Sequence, residues 1–387
     1  MSFSAFTEVT LVAPEREIAD GVLVVEDDAI RAAGPRSEIE IPRGCREERL
    51  PGKIIVPGFI DLHLHGGGGK DFSQRDQIEE AVGYHARRGT TAMLLTVEPA
   101  TAADLKERLA LLGRCCGPSA AGLLPEVLGV HLEGPFLNRK QCGALDPRHL
   151  VDPDPVLFEA LVDASAETVR MMTLAPELPG SGDLVRAAGD AGVVSALGHS
   201  DATFEEAQEA FASGVTHVTH LFNAMRGVHH RDPGCGVAAI LDPRVTVELI
   251  VDGWHLHDGM IEMARRLKGA AGIILVSDAV PLAGAGKGSF SMGGQRVQVR
   301  EGRAVNESGN LAGSLLNMAE AVKRSVATGQ ISLKEAVGMA TLNPAQRLGL
   351  ADRKGRLATG ADADFLVLND ALDVERVYIG ARLVNAS

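Results

Sequence analysis

Pro57–Gly58–Phe59–Ile60–Asp61–Leu62–His63–Leu64–His65–Gly66 sets an apolar run directly against two histidines and a glycine-rich turn. The pattern returns along the middle of the chain. Ile54–Val56 leads into Phe59–Leu62, and then come Ala92–Thr96, Val127–His131, Val169–Leu174, Val193–Leu197, Val215–Thr219, Val245–Ile250 and Ile273–Val276. Parallel strands covered on both faces read as such continuous apolar runs. Amphipathic stretches lie between several of them: Gln77–Arg88, Ala102–Cys115, Pro155–Ala164, Leu184–Ala191, Thr203–Ala212 and Asp258–Leu267. Strand–helix alternation implies βαβ units, and eight such runs predict an α/β fold, a (β/α)8 TIM-like barrel over residues 54–350. A doubly wound open sheet is the competitor. The stretch Gly66–Gly69 does not fit G-x-G-x-x-G, so a dinucleotide site lacks support.

Outside this middle, both ends read as short strands and turns. Val22–Val25 runs into the acidic turn Glu26–Asp28, while Asp364–Leu368, Val374–Ile379 and Arg382–Val384 follow the barrel. Helical periodicity is missing at both ends, so residues 1–53 and 351–387 are expected to pair into one small β domain.

Composition narrows the function. Of 387 residues, 45% are hydrophobic and 23% charged, an ordinary globular balance that argues against disorder. Acids outnumber bases 51 to 38, the formal net charge is −13, and no basic patch is visible, so nucleic acid is not an expected partner. An anionic substrate would need cations placed locally. The five cysteines are odd in number and form no Cys-x-x-Cys, which excludes a disulfide framework or zinc ribbon. Without a signal-like N-terminus or a long uncharged apolar run, no membrane association is expected, and a cytoplasmic protein is the default.

Barrel enzymes carry their chemistry at the C-terminal ends of the strands. Here those ends read Asp61–Leu62–His63–Leu64–His65, His131–Leu132–Glu133, Gly198–His199–Ser200, Thr219–His220 and Ser277–Asp278. His63 and His65 are two apart, so on a strand their rings point to one side. Zinc takes three or four N/O ligands. His63, His65, Glu133, His199 and His220 supply five, too many for one catalytic ion and suited to two bridged by Glu133. Asp278 is left over as a general base. Taken singly, a His-x-His, a Glu-Gly-Pro turn or a Gly-His-Ser is commonplace; the argument rests on the set. His131 is expected beside the ligands rather than among them. His85, His149 and His217 fit no strand-end pattern and read as ordinary core or surface histidines.

With those residues in view, the opening decapeptide resembles that of the amidohydrolase superfamily. His131–Phe136, Gly198–Ser200, His220–Met225, Asp252–His255, Ser277–Ala279, Ala340–Ala345 and Gly360–Asp364 resemble the N-acetylglucosamine-6-phosphate deacetylase family within it. The resemblance covers essentially the whole chain. It implies a β-sandwich built from both termini, a homodimer, and hydrolysis of the acetamide on N-acetyl-D-glucosamine 6-phosphate to give D-glucosamine 6-phosphate and acetate. Glu133, His199 and His220 would hold the principal metal, with His63 and His65 placing the chain among the two-metal members. Asp278 would activate water and then protonate the leaving amine. Arg231, which can reach the neighbouring subunit's site in this family, and His255 would bind phosphate. Asn223, Ala224, Ala144, Leu311, Ala312 and Gly313 would line the sugar pocket. His229 and His230 match no family residue and read as solvated loop residues. Zinc is the expected ion, one or two per chain, with iron, manganese or cobalt as alternatives by supply.

One departure bears on substrate. In Cys142–Gly143–Ala144–Leu145–Asp146–Pro147, Leu145 occupies the place of a histidine that the family sets near the acetamide. Leucine cannot donate a hydrogen bond, and losing one such donor can cost ~10²–10³ in rate. Leu145 therefore leaves open N-acetylgalactosamine 6-phosphate, another N-acyl amino sugar, or a weakly active homologue. Cys142 on the same loop reads as part of a lid. Other amidohydrolase branches bridge their metals with a lysine carbamate, a role Glu133 fills here. A catalytically silent homologue is disfavoured by the five intact ligands and Asp278.

Overall fold

The computed structural model describes residues 3–119, 122–292 and 295–384. Eight strands form one sheet in chain order: β1 (Phe59–Asp61), β2 (Thr90–Val97), β3 (Glu126–Glu133), β4 (Val169–Leu174), β5 (Val194–Leu197), β6 (His217–Val218), β7 (Thr246–Leu249) and β8 (Ile273–Leu275). Every neighbouring pair is parallel. The first and last strands meet through the segments that follow them: His65 N donates to Ala279 O at 2.7 Å and Asp278 N to His63 O at 2.8 Å. Asp61 reinforces the seam, accepting from Ser277 Oγ at 2.5 Å and Ser277 N at 3.2 Å. The barrel is thus joined at the level of the two histidines and Asp278. One apolar cluster draws together Ile60, Leu94, Met171, Ala196 and Ile274 from β1, β2, β4, β5 and β8, filling the ring.

Local signals explain the helices. Asp154 caps the helix Pro155–Ala164, with proline at its first position. Thr203 and Glu206 form a capping box on Phe204–Ala212, and Asn317 with Glu320 does the same for Met318–Ala327. The helix Gly234–Leu241, between β6 and β7, has no counterpart in the sequence reading. Its two glycines and uniformly apolar composition give it no polar face to betray a helical period. The meander Ser289–Met292, Gln295–Arg300 and Arg303–Asn306 was likewise not anticipated. No helix among the described residues is long and apolar enough to cross a membrane.

The ends pair as their composition implies, in a seven-stranded sheet formed by four N-terminal strands (Phe3–Ala13, Arg16–Glu26, Ala29–Pro35, Arg46–Pro57) and three C-terminal ones (Phe365–Leu368, Val374–Ile379, Arg382–Val384). Residues 1–2 and 385–387 of the expected β domain lie outside the described residues. Ile54–Val56, read as the lead into the barrel, instead pairs with Leu366–Leu368 of this sheet. The reason is register: Pro57–Gly58 interrupts the apolar run, so two strands of different sheets sit end to end. Phe6, Phe365 and Tyr378 bring both termini into one aromatic cluster, with ring centroids 4.4–5.3 Å apart.

Candidate metal centre

The five predicted ligands converge at the C-terminal mouth of the barrel. His63 and His65 follow β1, Glu133 ends β3, His199 lies two residues past β5 and His220 two past β6. The Glu133 carboxylate is their hub. Oε1 lies 3.4 Å from His63 Nε2, 3.2 Å from His199 Nε2 and 3.3 Å from His220 Nε2, while Oε2 lies 3.4 Å from His65 Nε2. His63, His65 and Glu133 form one group able to hold an ion; Glu133, His199 and His220 form a second. Asp278 borders both histidines of the first group, its Oδ1 3.3 Å from His65 Nε2 and 3.7 Å from His63 Nε2. All six side chains are buried.

The backbone is bent to make this possible. His199, His220 and Asp278 have φ of 47°, 30° and 47°, the left-handed region that non-glycine residues seldom occupy. Gly198 lets the turn before His199 approach its neighbours, because a Cβ there would sit 2.6 Å from Thr173 and 2.9 Å from Thr219. His199 Nδ1 lies 2.9 Å from Gln141 O, which ties the metal-facing ring to the 138–150 loop.

The electrostatics are those of a cation site. Burial opposes charge on His65, yet the carboxylates of Asp278 at 3.3 Å and Glu98 at 3.9 Å raise its pKa to about 9. Burial likewise opposes charge on Glu133, but the positive field of His63 and the bonds from His199 and His220 hold its carboxyl well below the usual range. Four imidazoles thus surround a carboxylate that stays ionised. His63 Nε2 is buried without a hydrogen-bond partner, and His199 Nε2 faces His220 Nε2 at 3.1 Å. Facing ring nitrogens around an anionic hub is a donor set for divalent metal, and the residues fit the group they were predicted to hold.

Beside it is a cavity of about 270 Å³. Ala144, Leu145, Asn223, Ala224, His255, Leu311 and Gly313, all singled out in the sequence, line it together with His65, Glu133, His199, His220 and Asp278. His255 is held by Asp252, Nδ1 to Oδ2 at 2.8 Å. Asn223 Nδ2 donates to His220 O and Leu221 O, which fixes its side chain at the cavity wall.

The Amidohydrolase family matches residues 54–384. The chain belongs to the amidohydrolase family. It is 39% identical over 338 residues to N-acetylglucosamine-6-phosphate deacetylase of Lysinibacillus sphaericus, covering 86% of each chain. To the Homo sapiens protein of the same name it is 38% identical, over 95% of this chain and 94% of that one. A solved structure of mutant N-acetyl-D-glucosamine-6-phosphate deacetylase from Mycobacterium smegmatis, in complex with N-acetyl-D-glucosamine-6-phosphate, superposes with a TM-score of 0.92 at 35% identity. It covers 99% of this chain and 100% of that one.

Three expected residues of this amidohydrolase stand apart from the cavity. Arg231 is exposed on its loop, Nη1 2.7 Å from His230 Nε2, rather than at the mouth. Ala312 is fully buried in an apolar cluster, while its neighbours Leu311 and Gly313 line the cavity. Cys142 packs at the edge of the same cluster. His131 lies beside the ligands as expected: its Nε2 is 2.8 Å from Thr173 Oγ1, and its ring packs edge-on against His63 with centroids 4.7 Å apart. The sequence reading missed Ile250 and Met292 in the wall and Glu98, Glu248 and His217 behind the ligands. The available signal was an ionisable residue inside an apolar strand: Glu248 sits within Thr246–Leu249.

Proposed function

We propose that this amidohydrolase hydrolyses the acetamide of N-acetyl-D-glucosamine 6-phosphate, releasing acetate and D-glucosamine 6-phosphate. The observation that carries the reading is the Glu133 hub, with two histidine pairs around it and Asp278 at its edge. His63, His65, Glu133, His199 and His220 would hold up to two divalent ions, zinc first among them by ligand type. Such an ion polarises an acyl carbonyl and makes water nucleophilic near neutral pH. Asp278 takes the proton from the attacking water and returns it to the nitrogen as the C–N bond breaks. Burial opposes its ionisation, but the positive field of His63 and the nearby His65 ring hold its carboxyl below the ordinary range.

Phosphate recognition supports a dimer. The described residues lining the cavity include no arginine or lysine, and His255 is the group there that accords with an anion. Arg231, exposed on its loop, is suited to enter the neighbouring subunit's cavity, where its planar fork would grip phosphate. All five cysteines are free, which suits a reducing cytoplasmic setting.

A second reading concerns the acyl group. Leu145 is 3% exposed and belongs to one apolar cluster with Met292; both line the cavity. That wall favours N-acyl groups longer than acetyl over a further polar contact. Turnover of the phosphosugar, its unphosphorylated form and its N-propionyl analogue tests both readings. Turnover of the acetyl phosphosugar well above the other two supports the first. N-propionyl exceeding N-acetyl moves the assignment to the second, and equal rates with and without phosphate refute the phosphosugar.

A further inference from the structure

We propose that Glu248 is a positioning residue for the metal centre, fixing the His63 ring so that the His63–His65–Glu133 group binds a divalent cation tightly, with His217 as its anchor. This rests on the two-metal reading above. Glu248 lies in β7, is fully buried, and uses both oxygens. Oε2 is 3.1 Å from His63 Nδ1 and accepts from His220 N at 3.0 Å; Oε1 is 3.0 Å from His217 Nε2. His217 Nδ1 is in turn 2.7 Å from Thr246 Oγ1, so the carboxylate is held from both sides.

The chemistry follows from the bonding inventory. An ionised carboxylate only accepts, so His63 Nδ1 must carry a hydrogen. The lone pair of the neutral ring then lies on Nε2, the buried nitrogen without a hydrogen-bond partner, 3.4 Å from Glu133 Oε1. Carboxylate partners of this kind fix a ligand histidine's tautomer and orientation and raise its basicity. A purely structural role accounts poorly for the residue, since an apolar side chain would fill a parallel strand without burying a charge. His65 has a looser counterpart, with Glu98 Oε2 3.9 Å from its Nδ1, so the tight restraint on this group falls on His63.

The test is zinc binding measured by chelator competition on the full chain. Wild type is expected to bind in two steps, the step lost in His65→Gln marking the first group. Glu248→Gln keeps the shape but replaces one accepting oxygen by an amide nitrogen. It should weaken that same step about 10–100-fold, leaving the other step and the melting temperature near wild type. A folded Glu248→Gln with both steps unchanged, or both weakened equally, overturns the proposal. A wild-type chain that binds a single ion overturns the two-metal reading and this inference with it. Should the variant fail to fold, ¹⁵N spectra of the zinc-loaded wild type decide, with the His63 signal assigned through His63→Gln. A proton on Nδ1 supports the proposal and one on Nε2 overturns it.

Discussion

Asp278 combines three constraints in one residue: a left-handed backbone, two histidine neighbours and a place on the cavity wall. Asp278→Asn preserves its size and removes its ability to take a proton. We expect kcat to fall roughly 10²–10⁴-fold while the zinc content stays at the wild-type level, since the five ligands remain. Loss of zinc together with activity would make Asp278 a ligand instead of a base. At this scale the sequence was most legible where a polar residue closes an apolar run, because a strand end in a barrel has few reasons to hold histidine or glutamate. Glu248 and His217 escaped because they lie within the apolar runs Val245–Ile250 and Val215–Thr219 and not at their ends, so spacing carries no direction toward a site. Arg231 was recognisable as a motif residue, yet it stands exposed on its loop and does not line the cavity.

Among the elements, the turn Gly66–Gly67 after the first two ligands is pressed onto the helix Arg75–Ala86. A Cβ at Gly67 would meet His85 Nε2 and Tyr84 Cδ1, both at 2.6 Å. These glycines thus serve close packing. His85 Nε2 donates to Gly66 O at 2.8 Å, and burial lowers its pKa to about 4 from an ordinary 6.5. The unfolded chain therefore takes up this proton first as pH falls. The contribution of neutral His85 is complete above 6.5 and is lost as pH falls toward 4, amounting to ~3 kcal/mol at most. Urea melts of wild type and His85→Gln across that window should show a smaller pH slope in the variant; identical slopes would exclude His85 as the source. Strands were legible from their apolar runs. The helix Gly234–Leu241 was not, because its apolar residues all round leave no polar face to mark the period. The end of the strand Arg46–Pro57 was misread because two sheets share one apolar stretch.

Across the whole molecule, an ionic cluster joins the C-terminal segment to the barrel. Arg353 grips Glu126 of β3 through both nitrogens at 2.6 and 2.8 Å, and Lys354 Nζ reaches Asp362 and Asp364 at 2.7 Å each. Lys354 is 5% exposed, and Asp364 is buried beside it. Lys354→Ala leaves that carboxylate without its cation and should cost about 3–5 kcal/mol in urea unfolding, with kcat little changed because the cluster lies away from the cavity. A cost below 1 kcal/mol would show the cluster to be dispensable. The pairing of the two ends was legible in their composition, whereas this clamp was not, since charged residues far apart in sequence carry no sign of their partners. The account as a whole stands on the metal centre, and the most direct measurement is acetate release from N-acetyl-D-glucosamine 6-phosphate by metal-stripped protein reloaded stepwise with zinc. The expected result is no turnover without metal, full recovery on reloading, and about two ions per chain at the plateau. Undiminished turnover by protein shown to be free of metal would contradict it.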